Sequence, residues 1–138
     1  MNIKDEQAML AAGTALSAQL KPGMLVFLIG DLGAGKTTFV RGVLRGLGHN
    51  GVVKSPTYNI VEPYEINGTA VFHFDLYRLH DAEELEYMGI RDYINDSSIC
   101  FIEWPDKGEG LLPAADLKIH IKIHQNERDL QITPTIDL

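Results

Sequence analysis

Apolar positions Met9, Ala12, Leu16 and Leu20 fall on one face at helical spacing, and Pro22-Gly23 stops the pattern, predicting a helix over residues 5–20. Residues 24–29 form an unbroken apolar run instead, as expected of a strand covered on both faces. Helical spacing returns with Val40, Val43, Leu44 and Leu47, closed by Gly48. Residues 58–66 and 69–75 are rich in β-branched and aromatic side chains, and Asn67-Gly68 between them predicts a two-residue hairpin turn. A short helix is expected near Asp81, where Asp81 and Glu84 have capping-box spacing and Gly89 closes the turn. Residues 98–103 read as a second buried strand.

From Asp116 to His124 the chain alternates, with Leu117, Ile119, Ile121 and Ile123 inward and Lys118, His120, Lys122 and His124 outward. Residues 125–127 turn the chain and 129–133 pair back, which predicts an edge hairpin with solvated histidines. With the G-x-x-x-x-G-K-[ST] pattern of residues 30–37 between the first strand and the second helix, the sum is an α/β fold: a three-layer sandwich of the P-loop NTPase kind, its mixed sheet containing an antiparallel hairpin. No repeat, linker or low-complexity tract interrupts the 138 residues, so one domain over 1–138 is expected.

The first apolar run leads directly into residues 30–37, G-D-L-G-A-G-K-T, which is G-x-x-x-x-G-K-[ST] between a strand and a helix. In such a loop the backbone N–H groups of residues such as Asp31, Gly33, Ala34 and Gly35 curl around a triphosphate. Lys36 reaches the outer phosphates, and hydroxyls such as those of Thr37 and Thr38 follow, that of Thr37 able to ligate Mg²⁺. ATP with Mg²⁺ is the expected ligand. The guanine-reading N-K-x-D sequence is absent, which favours adenine.

A net charge of −7 disfavours a free-standing nucleic-acid binder. It also means that the loop must supply its own positive field. The single Cys100 sits in an apolar run and reads as a small buried hydrophobe. The first residues lack a signal pattern and no apolar stretch approaches the ~20 residues of a membrane span, so a cytoplasmic location is expected.

Hydrolysis by such a loop needs a carboxylate near the metal and a group that positions water or senses the γ-phosphate. Two strands end in acids, at Asp75 and Glu103, and strand C-terminal ends are where ligands sit in open α/β sheets. Spacing alone does not assign which acid supports the metal and which the water. Thr57, in Ser55-Pro56-Thr57-Tyr58, is placed to reach Mg²⁺ or phosphate and order its segment around bound triphosphate, or else marks an ordinary turn. Trp104 borders the same strand end, and Arg78 lies three residues beyond Asp75. His73 and Asp75 share a strand face, but with no third soft ligand nearby His73 reads as a packed or hydrogen-bonding residue.

The P-loop, S-P-T-Y at 55–58, H-F-D-L-Y-R-L at 73–79, E-E-L-E-Y-M-G-I-R-D at 83–92 and I-E-W-P at 102–105 occur in this order. In this the chain resembles the TsaE (YjeE) family, the ATPase of bacterial tRNA threonylcarbamoyladenosine (t6A) synthesis. The resemblance runs from about Asp5 to the C-terminal hairpin. It implies a small cytoplasmic ATPase acting with a TsaD–TsaB-like complex, which modifies adenosine 37 of ANN-decoding tRNAs, with tRNA a substrate of the pathway rather than a strong direct ligand. By position it implies phosphate-loop roles for Gly33, Gly35, Lys36, Thr37 and Thr38, and Mg²⁺ ligation by Thr37 and Glu103. Asp75 then lies close to the metal and the reacting water, Thr57 falls in a switch-like segment, and Trp104 borders the nucleotide.

Two other classes stand beside this one. A small-molecule P-loop kinase usually carries an arginine-rich lid, whereas only Arg78 and Arg91 lie between the hairpin and the last strands here. A nucleotide-dependent interaction module without significant hydrolysis would not need two strand-end acids.

Overall fold

The computed structural model of the protein describes residues 1–56 and 59–135. Its elements are β1 (Asn2–Ile3), α1 (Glu6–Ser17), β2 (Leu25–Ile29), α2 (Lys36–Leu47), β3 (Val61–Ile66), β4 (Thr69–Asp75), α3 (Glu83–Tyr87), α4 (Ile90–Tyr93), β5 (Ser98–Glu103), β6 (Leu117–His124) and β7 (Glu127–Pro134), with a 3-10 turn at Pro105–Gly108. One seven-stranded sheet runs in the order β1-β7-β6-β2-β5-β4-β3. β6, β2, β5 and β4 are parallel, and antiparallel partners close both ends of the sheet.

Each central strand is apolar on both faces because helices cover both. Val26, Leu28, Val71, Ile99 and Phe101 pack with Met9 and Leu16 of α1 and with Phe39, Val40, Val43 and Leu44 of α2. Leu25, Phe74, Cys100 and Ile102 pack on the other face with Leu76, Leu79, Leu85 and Ile90. The expected α/β sandwich with a mixed sheet is the fold observed. Burial pushes the Cys100 thiol up to about 11, in keeping with a packing role. Among the described residues no helix is long and apolar enough to cross a membrane.

Local signals explain most boundaries. Asp5 caps α1, its carboxylate accepting from the Ala8 N–H at 2.8 Å. The helix ends at Ser17, earlier than Leu20, although Leu20 is still buried in the approach to Pro22. Asn67 and Gly68 both take positive φ (52° and 84°), the type I′ turn that their sequence predicts. Glu84 accepts from the N–H groups of His80 and Asp81 (3.0 and 3.2 Å), while the Asp81 carboxylate accepts from Glu83 N–H at 3.0 Å.

One expectation is corrected. The β6–β7 hairpin is not itself the edge of the sheet: β6 pairs parallel with β2 as well as antiparallel with β7, and β1 forms the edge beyond β7. Asp116 fixes that junction, its carboxylate accepting from Leu25 N–H at 2.7 Å and its own N–H donating to the Leu25 carbonyl at 2.8 Å. His120 is accordingly half-buried, whereas His124 is exposed.

α1 and α2 touch backbone to backbone. A Cβ at Gly42 would run into the Leu10 carbonyl oxygen, and one at Gly13 into that of Phe39. Thr14 adds a hydrogen bond to the Gly42 carbonyl at 3.0 Å. Helix propensity alone makes Gly42→Ala stabilising by roughly 1 kcal/mol, but the forced separation of the helices costs about 3 kcal/mol. Urea denaturation of Gly42→Ala is therefore expected to show a net loss; a gain would mean that the helices do not meet so closely.

Candidate functional site

β2 delivers the chain to the glycine-rich loop at the C-terminal end of the parallel strands. Gly33 and Gly35 take φ of 78° and 110°, a region that side-chain-bearing residues rarely enter, and Gly35 is the N-cap of α2. The Ala34 N–H donates to the Asp31 carbonyl at 3.1 Å, tightening the loop. From the far end of the sheet, Arg128 Nε donates to the Ala34 carbonyl (3.1 Å) and Nη2 to the Gly33 carbonyl (3.3 Å). β1 holds Arg128 in register, opposite Ile3.

Lys36, in the first turn of α2, is buried despite its charge. Its Nζ donates to the Gly30 carbonyl at 2.6 Å, lies 4.0 Å from Glu103 Oε1 and sits 4.0 Å from the centroid of the Trp104 ring. Loss of water lowers its pKa from the usual lysine value, with Glu103, Asp75, Asp31 and Asp106 opposing the shift.

Glu103 closes β5 and is buried too. Its Oε2 accepts from Thr37 Oγ1 at 3.3 Å and lies 2.6 Å from His73 Nε2. Asp75 is its register partner at the end of β4, and the Leu76 N–H donates to the Glu103 carbonyl at 3.1 Å. The pKa of Asp75 is raised above its ordinary 3.8, first by burial and also by Glu103, against the Tyr77 N–H, His73 and Lys36. Trp104 takes φ of 56° to start the 3-10 turn, and its ring stands 5.1 Å from that of Tyr77.

A cavity of about 730 Å³ opens beside the loop, lined by Gly33, Gly35, Lys36, Thr37 and Thr38, by Asp75 and Glu103, by Tyr77, Arg78 and Trp104, and by Ser55 and Pro56. Most of the residues singled out in the sequence therefore meet in one place. Ala34 faces instead a second cavity of about 340 Å³, which shares Gly33, Gly35 and Thr38 with the first and adds Lys4, Asp5, Arg41 and Arg128. Asp31 lines neither cavity, its backbone carbonyl holding the loop turn. Thr57 and Tyr58 lie outside the described residues. Sequence reasoning missed Arg128 and Arg41, which belong to no motif and are brought to the loop only by the fold.

The elevated pKa of Asp75 carries a stability sign. A folded-state value above the unfolded one means that ionised Asp75 weakens the fold at neutral pH and that the penalty fades as pH falls through the raised value. Asp75→Asn keeps an oxygen for the Tyr77 N–H, bonded to Oδ1 at 3.0 Å. It is expected to stabilise the protein at pH 7–8 by about 1 kcal/mol, with the gain vanishing in acid. Denaturation curves across pH check this; equal stability of the two proteins at pH 8 would contradict it.

Comparison with known proteins finds relatives over most of the chain. The model of the family Threonylcarbamoyl adenosine biosynthesis protein TsaE matches residues 3–131. The chain is 50% identical over 141 residues to the tRNA threonylcarbamoyladenosine biosynthesis protein TsaE of Haemophilus influenzae, covering 99% of this chain and 89% of that protein. It is 39% identical over 130 residues to the protein of the same description in Bacillus subtilis, covering 94% and 80%. The crystal structure of Bacillus subtilis YdiB superposes with a TM-score of 0.81 at 31% identity, covering 97% of this chain and 83% of that one. The family match takes in the glycine-rich loop, both strand-end acids and the C-terminal hairpin as far as residue 131, Arg128 included, and on that extent the chain belongs to the TsaE family.

Proposed function

We propose that the chain is a weak Mg²⁺-dependent ATPase that serves tRNA t6A37 formation by acting on a TsaD–TsaB-like complex in the cytoplasm. The carrying observation is the convergence of Lys36, Thr37, Asp75 and Glu103 on one cavity at the mouth of a glycine-rich loop. A loop of this shape followed by a helix N-terminus attracts phosphate. Gly33, Gly35 and Lys36 would receive the phosphates, with Thr38 beside them. The neighbouring cavity, which shares Gly33, Gly35 and Thr38 with the first, would receive the nucleoside.

The donor set fits Mg²⁺. Thr37 Oγ1 and a Glu103 oxygen stand 3.3 Å apart, and both are hard oxygen donors. Among the described residues no three His, Cys, Asp or Glu side chains form a metal cage of their own; in nucleotide sites Mg²⁺ commonly takes its remaining ligands from phosphate and water. When bound, Mg²⁺ would draw charge from the phosphates. Thr37 and Glu103 would hold it, Lys36 would offset charge on the outer phosphates, and Asp75 would orient the attacking water. Trp104 and Tyr77 would form an aromatic wall that limits solvent access.

Ser55 and Pro56 line the same cavity. This supports a switch role for their segment, with Thr57 its proposed sensor of triphosphate. The ordered form docks on the partner complex, and hydrolysis releases it. The test is repeated turnover of t6A formation on an ANN-decoding tRNA by the TsaD–TsaB complex, with this chain, without it and with Lys36→Ala. Turnover should depend on the intact chain; undiminished repeated turnover in its absence would overturn the proposal. Phosphate release with and without small-molecule acceptors tests the kinase alternative in the same preparations.

A further inference from the structure

We infer that His73 is a positioning residue for Glu103, the inference resting on the proposed role of Glu103 toward Mg²⁺. His73 occupies the middle of β4, on the face that packs against α1 and α2, where its strand neighbour Val71 and the adjacent Ile99 and Phe101 are apolar. Its ring is fully buried. A histidine in that setting loses its water, and packing alone would be better served by an apolar side chain. One ring atom recovers the loss: Nε2 lies 2.6 Å from Glu103 Oε2.

The other ring nitrogen, Nδ1, is buried with no hydrogen-bond partner among the described residues. That favours Nε2 as the nitrogen that donates. With the proton on Nε2, the ring gives its N–H to the carboxylate and leaves only a lone pair unmet. With the proton on Nδ1, a buried N–H would be orphaned and a lone pair would face the carboxylate.

The consequence falls on the carboxylate. Glu103 has a flexible side chain, and its two oxygens meet different neighbours. Oε2 takes the His73 N–H and the Thr37 hydroxyl, while Oε1 lies toward Lys36 Nζ at 4.0 Å. The His73 contact is the shortest of these and comes from β4, the strand paired directly with β5. It fixes the rotation of the carboxylate before any ligand arrives. Outer partners that hold a ligating carboxylate in this way govern metal affinity without touching the metal.

The experiment follows ATP binding by Trp104 fluorescence as Mg²⁺ is varied, with parallel titrations in EDTA, for the wild type and for His73→Leu, His73→Gln and His73→Asn. Gln can place an N–H near the Nε2 position, Asn only near that of Nδ1, and Leu nowhere. Leu and Asn are expected to raise the Mg²⁺ requirement by about 10-fold or more, with affinity in EDTA unchanged and Gln restoring most of the loss. An unaltered Mg²⁺ requirement in a folded Leu variant would overturn the inference. If Leu does not fold, equal behaviour of Gln and Asn would overturn it. Wild-type protein that binds no ATP at any Mg²⁺ concentration would instead overturn the proposed function itself.

Discussion

Lys36→Ala is expected to lose ATP affinity by about 100-fold or more, the range found when a buried, hydrogen-bonded charge is removed from its partner. Lys36 is buried in the first turn of α2, so its charge acts through little solvent. Arg78 lines the same cavity but is exposed, and an exposed charge is worth much less to a ligand. The fold should survive the change. Glu103 keeps its contacts with His73 and Thr37, and what is lost is the Lys36 bond to the Gly30 carbonyl and its 4.0 Å approach to Glu103. Calorimetric titration of the variant checks this. An affinity equal to that of the wild type would mean that the phosphates lie elsewhere.

The second large effect is on hydrolysis. Glu103→Ala is expected to retain nucleotide, because the loop and Lys36 are intact, but to release phosphate ~10²-fold or more slowly, as when a metal-supporting or electrostatic group is lost. Glu103→Gln separates charge from shape. It keeps an oxygen that can accept from His73 and Thr37 while abolishing the negative charge, so a rate close to that of the Ala variant would assign the effect to charge. An unimpaired rate in both variants would transfer the metal role to Asp75, the register partner on β4.

Much of this molecule was legible along the chain because its signals are local. Spacing located α2, Asn67-Gly68 located the β3–β4 turn, and Asp81 with Glu84 located the start of α3. The strand-end acids were legible because a buried strand that ends in a carboxylate is conspicuous, and β4 and β5 pair in register so that Asp75 and Glu103 end side by side. What escaped depends on which distant segments meet. The alternation of residues 117–123 revealed a strand with one apolar face, but not that β2 would be its parallel neighbour; that pairing depends on Asp116 bridging to Leu25. Gly13 and Gly42 look like weak points of two helices until the helices are seen to touch there. Arg128 lies 94 positions from the Ala34 carbonyl that it holds, and no spacing rule spans that distance. His73 read as a packed or hydrogen-bonding residue, and its partner emerged only once β4 and β5 were side by side.

The central claim is that this loop and its two acids hold a magnesium–nucleoside triphosphate. Isothermal titration of ATP into the purified wild-type chain, with and without Mg²⁺, tests it most directly. The predicted result is saturable binding at one site per chain, weakened by chelation of the metal. Absence of saturable binding of ATP, or of any other nucleoside triphosphate, with Mg²⁺ in excess would contradict it.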